Sequence, residues 1–154
     1  MPSTPQTEAE GWRYAENVVS GRIPAGSWVV KACQRALLDR QNGADRGLTY
    51  RPEAAQRVVT FAGFLRHLKG PLAGQRIELA SWQIFIITQL YGWYKEDGRR
   101  RFRTAYIEVP RKNGKSTFCS VLCLYHLIAD NEHSAEVYTA ATTRDQAKIV
   151  FDDA

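Results

Sequence analysis

The sequence predicts an α/β chain in which helices come first and a strand, helix, strand, helix series follows. Three observations carry this. Apolar residues recur at helical spacing through the first part of the chain. A short run rich in β-branched and aromatic residues, TAYIEV (Thr104 to Val109), then breaks that period. Directly after it, PRKNGKST opens a new apolar stretch of helical length.

Residues 1–10 are polar and contain proline, and they read as a loose arm. From Trp12 the pattern is helical, and GWRYAENVVSG stops at Gly21. In AGSWVVKACQRALLDRQNG, Val29, Ala32, Cys33, Ala36 and Leu37 share one face, Ser27 stands where a cap belongs, and Asn42 and Gly43 end the helix. A third helix begins at about Pro52, a residue suited to a first turn. Its stripe is Ala55, Val58, Val59, Ala62 and Leu65, and it closes at Gly70.

PLAGQRIELA is a short extended connection, and a helix from about Ser81 carries Trp82 and Gln83 in its first turn. KEDGRRRFR is a basic turn. TAYIEV has the composition of a short buried strand. Lys115 to Asp130 is apolar on most sides, as a helix packed on a sheet is, and AEVYTAA is a second strand. Thr143 and Gln146 make a capping box for a last helix, whose spacing is kept by Ala147, Val150, Phe151 and Ala154. Because that apolar face reaches the final residue, and because two strands do not make a stable sheet, the chain reads as the front part of a longer protein.

Apolar residues at 44% and charged residues at 24% are globular values. The net charge of +5 favours an anionic partner such as nucleic acid or nucleotide, although such an excess also serves as a plain solvated surface. Three cysteines, odd in number and without a CxxC pair, fit a reducing compartment and exclude a disulfide framework. No signal peptide is recognisable at the N-terminus. The most apolar segment, IFIITQLYGW, is far shorter than the roughly 20 residues that span a bilayer. The expectation is a soluble intracellular protein without membrane contact.

The motif that carries chemistry is VPRKNGKST, residues 109–117. A phosphate loop reads GxxxxGK[ST], and here Val109 stands at the first glycine. Such a loop works because successive N–H groups converge on one cavity at a helix N-terminus, where the dipole also favours anions. Gly114 lets the backbone approach phosphates, Lys115 reaches the β- and γ-phosphates, and the Ser116 hydroxyl is placed for Mg²⁺. The bland alternative is a basic turn with Ser116 or Thr117 as an ordinary cap. Against it, Arg111, Lys112 and Lys115 crowd positive charge where the dipole disfavours it, and an anion relieves the conflict.

Other candidates are weaker. Cys119, Cys123 and His126 share a helix face, but without an evident fourth ligand they read as core and not as a zinc site. GRRRFR (Gly98 to Arg103) reads first as a solvated turn and second as a contact to a DNA backbone.

VPRKNGKST resembles the altered Walker A motif of the large terminase subunit of tailed double-stranded DNA phages, the ATP-driven packaging motor. The likeness extends to GWRYAENVVSGRIPAGSWVVKACQRALLDR, to ELASWQIFIITQLYGW and to EVYTAATTRDQAKIVFDDA, in that order. It implies residues 1–80 as an N-terminal helical region and 81–154 as the first part of a P-loop NTPase domain (RecA/ASCE-like). That domain's parallel sheet would be truncated after the second strand and its helix. It implies ATP and Mg²⁺ as ligands, with Lys115 on the β- and γ-phosphates, Ser116 on the metal and Thr117 beside it. Lys112, Asn113 and Gly114 would complete the loop, and Arg111 would sense or stabilise the γ-phosphate. Gln83 matches the adenine-recognising glutamine, while Trp82 stands open between base contact and core packing. Arg144 falls where motor ATPases relay nucleotide state.

The implied partners are double-stranded DNA, the portal protein of the prohead and the small terminase subunit. A homo-oligomeric ring in the full-length parent and a place in the bacterial host cytoplasm go with them. No apolar run followed by Asp and Glu appears after residue 117, and IVFDDA is the nearest. The acidic strand end that activates water, and an acidic nuclease cluster, are therefore expected elsewhere in the parent. Hydrolysis by this chain alone is not expected. The rivals are a split or non-functional fragment that needs a complementing chain, and another P-loop enzyme such as a small kinase.

Overall fold

The computed structural model describes residues 5–152. Six helices occur among them: α1 (Ala9–Val19), α2 (Ser27–Asn42), α3 (Pro52–Phe64), α4 (Ser81–Gly92), α5 (Lys115–Ile128) and α6 (Arg144–Asp152). Two short strands, β1 (Leu48–Tyr50) and β2 (Trp93–Lys95), pair antiparallel with Thr49 opposite Tyr94. The chain is mixed α/β and divides into two compact units.

The first unit runs to Thr60 and resumes over Leu79–Tyr106. Its core joins Trp12, Ala15 and Val18 of α1 to Cys33 and Ala36 of α2, Phe85 of α4 and Trp93 of β2. Tyr50 lies 5.1 Å from Trp12 and 5.1 Å from Trp93, centroid to centroid, so three aromatic rings meet behind the small sheet. The Tyr50 hydroxyl donates to Glu8 Oε2 at 2.6 Å and accepts from Trp12 Nε1 at 3.1 Å. Burial first and the Glu8 bond second raise its pKa and keep it a neutral donor. Gly11 brings α1 close to α4: a Cβ there would stand 2.9 Å from the Phe85 backbone.

Several boundaries differ from expectation for local reasons. The arm is not loose from Gln6 onward. Gln6 Oε1 accepts from Leu79 N–H at 2.7 Å, its Nε2 donates to Leu79 C=O at 2.6 Å, and Glu8 N–H donates to Gln56 at 2.9 Å. Helix α1 starts before Trp12 because Glu10 accepts from Thr7 N–H at 3.0 Å, half of a Thr-x-x-Glu capping box. Gly26, not Ser27, is the N-cap of α2, and Ser27 is its first helical residue. The buried face of α2 is Cys33, Ala36 and Asp39, with Val30 and Leu37 beside it, while Val29 is exposed.

The second unit takes Phe61–Glu78 and the chain from Ile107. Helix α3 ends at Phe64, before Gly70. The chain then doubles back in place of the extended connection, with Ile77 N–H donating to Leu65 C=O at 3.0 Å and His67 N–H to Gln75 C=O at 2.9 Å. Phe118, Val121 and Tyr125 bury one face of α5, and Tyr125 meets Phe61 edge-on at 5.5 Å. The Ser120 hydroxyl bonds Val150 C=O at 2.8 Å and so ties α5 to α6. Thr143 Oγ1 accepts from Gln146 N–H at 3.3 Å, the expected cap, but Gln146 Oε1 bonds Thr142 instead of closing the box. Phe151 is exposed, against its place in the expected stripe, and Ala154 lies outside the described residues.

Neither expected strand joins a ladder among the described residues; the sheet that forms is β1 with β2. Both segments keep the alternation of a strand: Ile107 and Val109 are half-buried between exposed neighbours, as are Ala135, Val137 and Thr139. A strand is defined by its partner, and the right composition without a neighbour's N–H and C=O groups makes no ladder.

Candidate functional site

The loop after the first of these segments is shaped by two left-handed residues. Lys112 has φ 67 and Gly114 has φ 70 and ψ 17. Glycine takes this conformation without strain, whereas a side-chain-bearing residue costs about 1–2 kcal/mol there. Between them the Asn113 carboxamide donates to the carbonyls of Pro110 and Arg111, both at 3.2 Å, and so engages two acceptors of the turn. Gly114 is the N-cap of α5, and its carbonyl accepts from Phe118 N–H at 2.9 Å. The N–H groups of Lys115, Ser116 and Thr117 thus precede that first helical donor and point out of the helix end.

Arg111, Lys112, Asn113, Gly114 and Lys115 are exposed, and Ser116 and Thr117 are half-buried. Three cations at a helix N-terminus oppose the dipole, at about 0.3–1 kcal/mol each. A multiply charged anion reverses that sign. The left-handed Gly114 next to right-handed helical residues makes the concave row of N–H donors that accepts such an anion. Ser120 Oγ donates back to Ser116 C=O at 3.0 Å and steadies the first turn. One turn on, the half-buried Cys119 has its thiol pKa raised by burial, with the Lys115 charge pulling the other way. Cys123 is raised by burial too, and then by Cys119.

The residues expected at a base sit in the other unit. Gln83 is buried in the first turn of α4, and its Oε1 accepts from Ala80 N–H at 2.8 Å. Ala80 has no side-chain oxygen to return the cap, so the carboxamide alone orders this helix start. Trp82 is half-buried. Arg144 is exposed at the head of α6. His126 Nδ1 lies 2.9 Å from Asp130 Oδ2. No group of three or more His, Cys, Asp or Glu able to hold a metal occurs among the described residues.

The basic turn is not uniformly solvated. Arg101 is inward, its Nη1 donating to Asp39 at 2.6 Å, and Arg100 lies 4.8 Å over the Tyr91 ring. The Phe102 ring is flanked by Arg35 at 5.2 Å and Arg101 at 4.7 Å. Asp39 was not legible as a partner, since one carboxylate on a helix with several cations reads as a solvated face.

Residues 81–154 match the family model for the terminase large subunit, ATPase domain. No curated protein and no solved structure matches the chain. No helix among the described residues is long and apolar enough to cross a membrane.

Proposed function

We propose, on the premise that residues 81–154 are a terminase large-subunit ATPase region, that the loop from Pro110 to Thr117 binds the phosphates of ATP. The observation that carries this is Gly114 at φ 70 opening α5, with Lys112 at φ 67 before it and exposed cations on either side. Lys115 meets the β- and γ-phosphates. Arg111 offers its fork of donors to the γ-phosphate, where charge grows during transfer. Lys112, Asn113 and Gly114 shape the cradle, and the N–H groups of Lys115, Ser116 and Thr117 point into it.

The donor set fits Mg²⁺ in the way such sites hold it, with one protein hydroxyl, from Ser116, and the remaining positions left to phosphate and water. When bound, the ion neutralises phosphate charge. Gln83, its rotamer held by Ala80, is the adenine-reading residue, with Trp82 next to it. The segments 104–109 and 135–141 are strands of a P-loop sheet that pair through further strands of the parent domain. Arg144 relays nucleotide state.

At the level of the parent protein, the reading is an ATP-driven motor that moves double-stranded DNA into a prohead. It works as a ring with the portal and the small terminase subunit as partners, in the host cytoplasm. The net charge of +5 supports an anionic partner. Calorimetric titration of the full chain with ATP and Mg²⁺ tests the site. Lys115→Ala and Gly114→Val are expected to weaken binding about tenfold or more. Unchanged affinity in Lys115→Ala would sink the assignment.

A further inference from the structure

Beside α5 a cavity of about 300 Å³ opens within the second unit, lined by Phe64, Leu68, Ile77, Thr117, Val121 and Leu124, with Arg66 and Ser120 completing it. We propose that this cavity takes the base of the bound nucleoside triphosphate and that the Phe64 ring stacks on it; the proposal rests on the phosphate reading of the loop above.

Size and position come first. The volume lies at the lower end of the range for small-molecule sites. Thr117 belongs both to the cavity wall and to the helix end whose N–H groups face the phosphates, so the two sites are contiguous. From Thr117 to Leu124 the wall follows α5 for about 10 Å, at 1.5 Å per residue, which is the scale of a nucleoside.

The chemistry of the lining says how a base would be held. Val121 is 1% exposed at the floor, while Phe64 is 74% exposed and Leu68 62% exposed at the rim. An exposed aromatic at the mouth of an apolar slot is a stacking face without an occupant of its own. The Arg66 guanidinium is held in place by Gly74 C=O at 2.6 Å, a planar cation at the same rim. Ser120 cannot read a base edge with its one hydroxyl proton, because the carbonyls of Ser116 and Val150 share it. Recognition is therefore by the face of the base and the width of the slot. ATP and GTP are expected to bind within about tenfold of each other.

The test is titration of the full chain with ATP and, separately, with inorganic tripolyphosphate, for wild type, Phe64→Ala and Phe64→Trp. Phe64→Ala should weaken ATP about tenfold and leave tripolyphosphate unchanged. Phe64→Trp should restore ATP binding and add an indole emission quenched by ATP but not by tripolyphosphate. Tripolyphosphate binding with ATP affinity indifferent to Phe64→Ala overturns the cavity and spares the phosphate site. Binding of neither ligand by wild type overturns both.

Discussion

Arg101 Nη1 donates to Asp39 Oδ2 at 2.6 Å across 62 residues of sequence, and Arg46 donates to the other oxygen at 2.5 Å. The Asp39 side chain is 1% exposed, that of Arg101 12% and that of Arg46 58%. Removing the carboxylate would strand a nearly buried guanidinium, whereas removing Arg46 leaves the inner pair intact. Asp39→Ala should therefore lower stability by about 3 kcal/mol and Arg46→Ala by less than about 1 kcal/mol. Urea unfolding of both variants checks the order, and equal losses would refute it.

Two glycines in helices should respond with opposite sign. A Cβ at Gly11 meets the Phe85 backbone at 2.9 Å, while one at Gly63 meets nothing within 4 Å. Gly11→Ala is expected to destabilise by about 1–3 kcal/mol through overpacking of α1 on α4. Gly63→Ala is expected to stabilise by about 0.5 kcal/mol through helix propensity. Thermal unfolding of the pair decides the matter.

Lys112 holds φ 67, a conformation that strains any residue with a Cβ. Lys112→Gly should release that strain and raise stability by up to about 1 kcal/mol without nucleotide. A fall in the unfolding midpoint would show that the side chain contributes more to the loop than its backbone strain costs.

Cys33 is fully buried in the first unit, and burial pushes its thiol up to about 11 from 9.0. The unfolded chain gives up this proton first, so the stabilising effect is complete below pH 9 and is lost as pH rises to about 11. Urea midpoints at about pH 8 and about pH 10.5 should separate more in wild type than in Cys33→Ala. Equal separations would count against the shift.

Much of the site was legible because it is local. The composition RKNGKST marks a loop feeding a helix, and α5 begins at Lys115 as that pattern requires. Helix α4 likewise begins at Ser81. The start of α1 was legible in Thr7 and Glu10, whose spacing is that of a capping box. The strands β1 and β2 were not. Three residues each carry too little period to register, and they pair only because distant segments, Leu48–Tyr50 and Trp93–Lys95, meet. Nothing at Phe64, Ile77 or Val121 announced a cavity, since each reads as core until the chain reversal between Leu65 and Ile77 brings them to one wall.

The sequence by itself determined which faces of the helices are apolar and which residues stand in the loop before α5, because periodicity and backbone preference act over a few neighbours. Only the tertiary structure decided that Arg101 turns inward to Asp39, that Lys112 takes a left-handed backbone and that two strand-like segments stay outside the sheet. Each of those outcomes depends on which distant groups arrive to satisfy a charge, a turn or a row of peptide N–H groups, and that is set by packing.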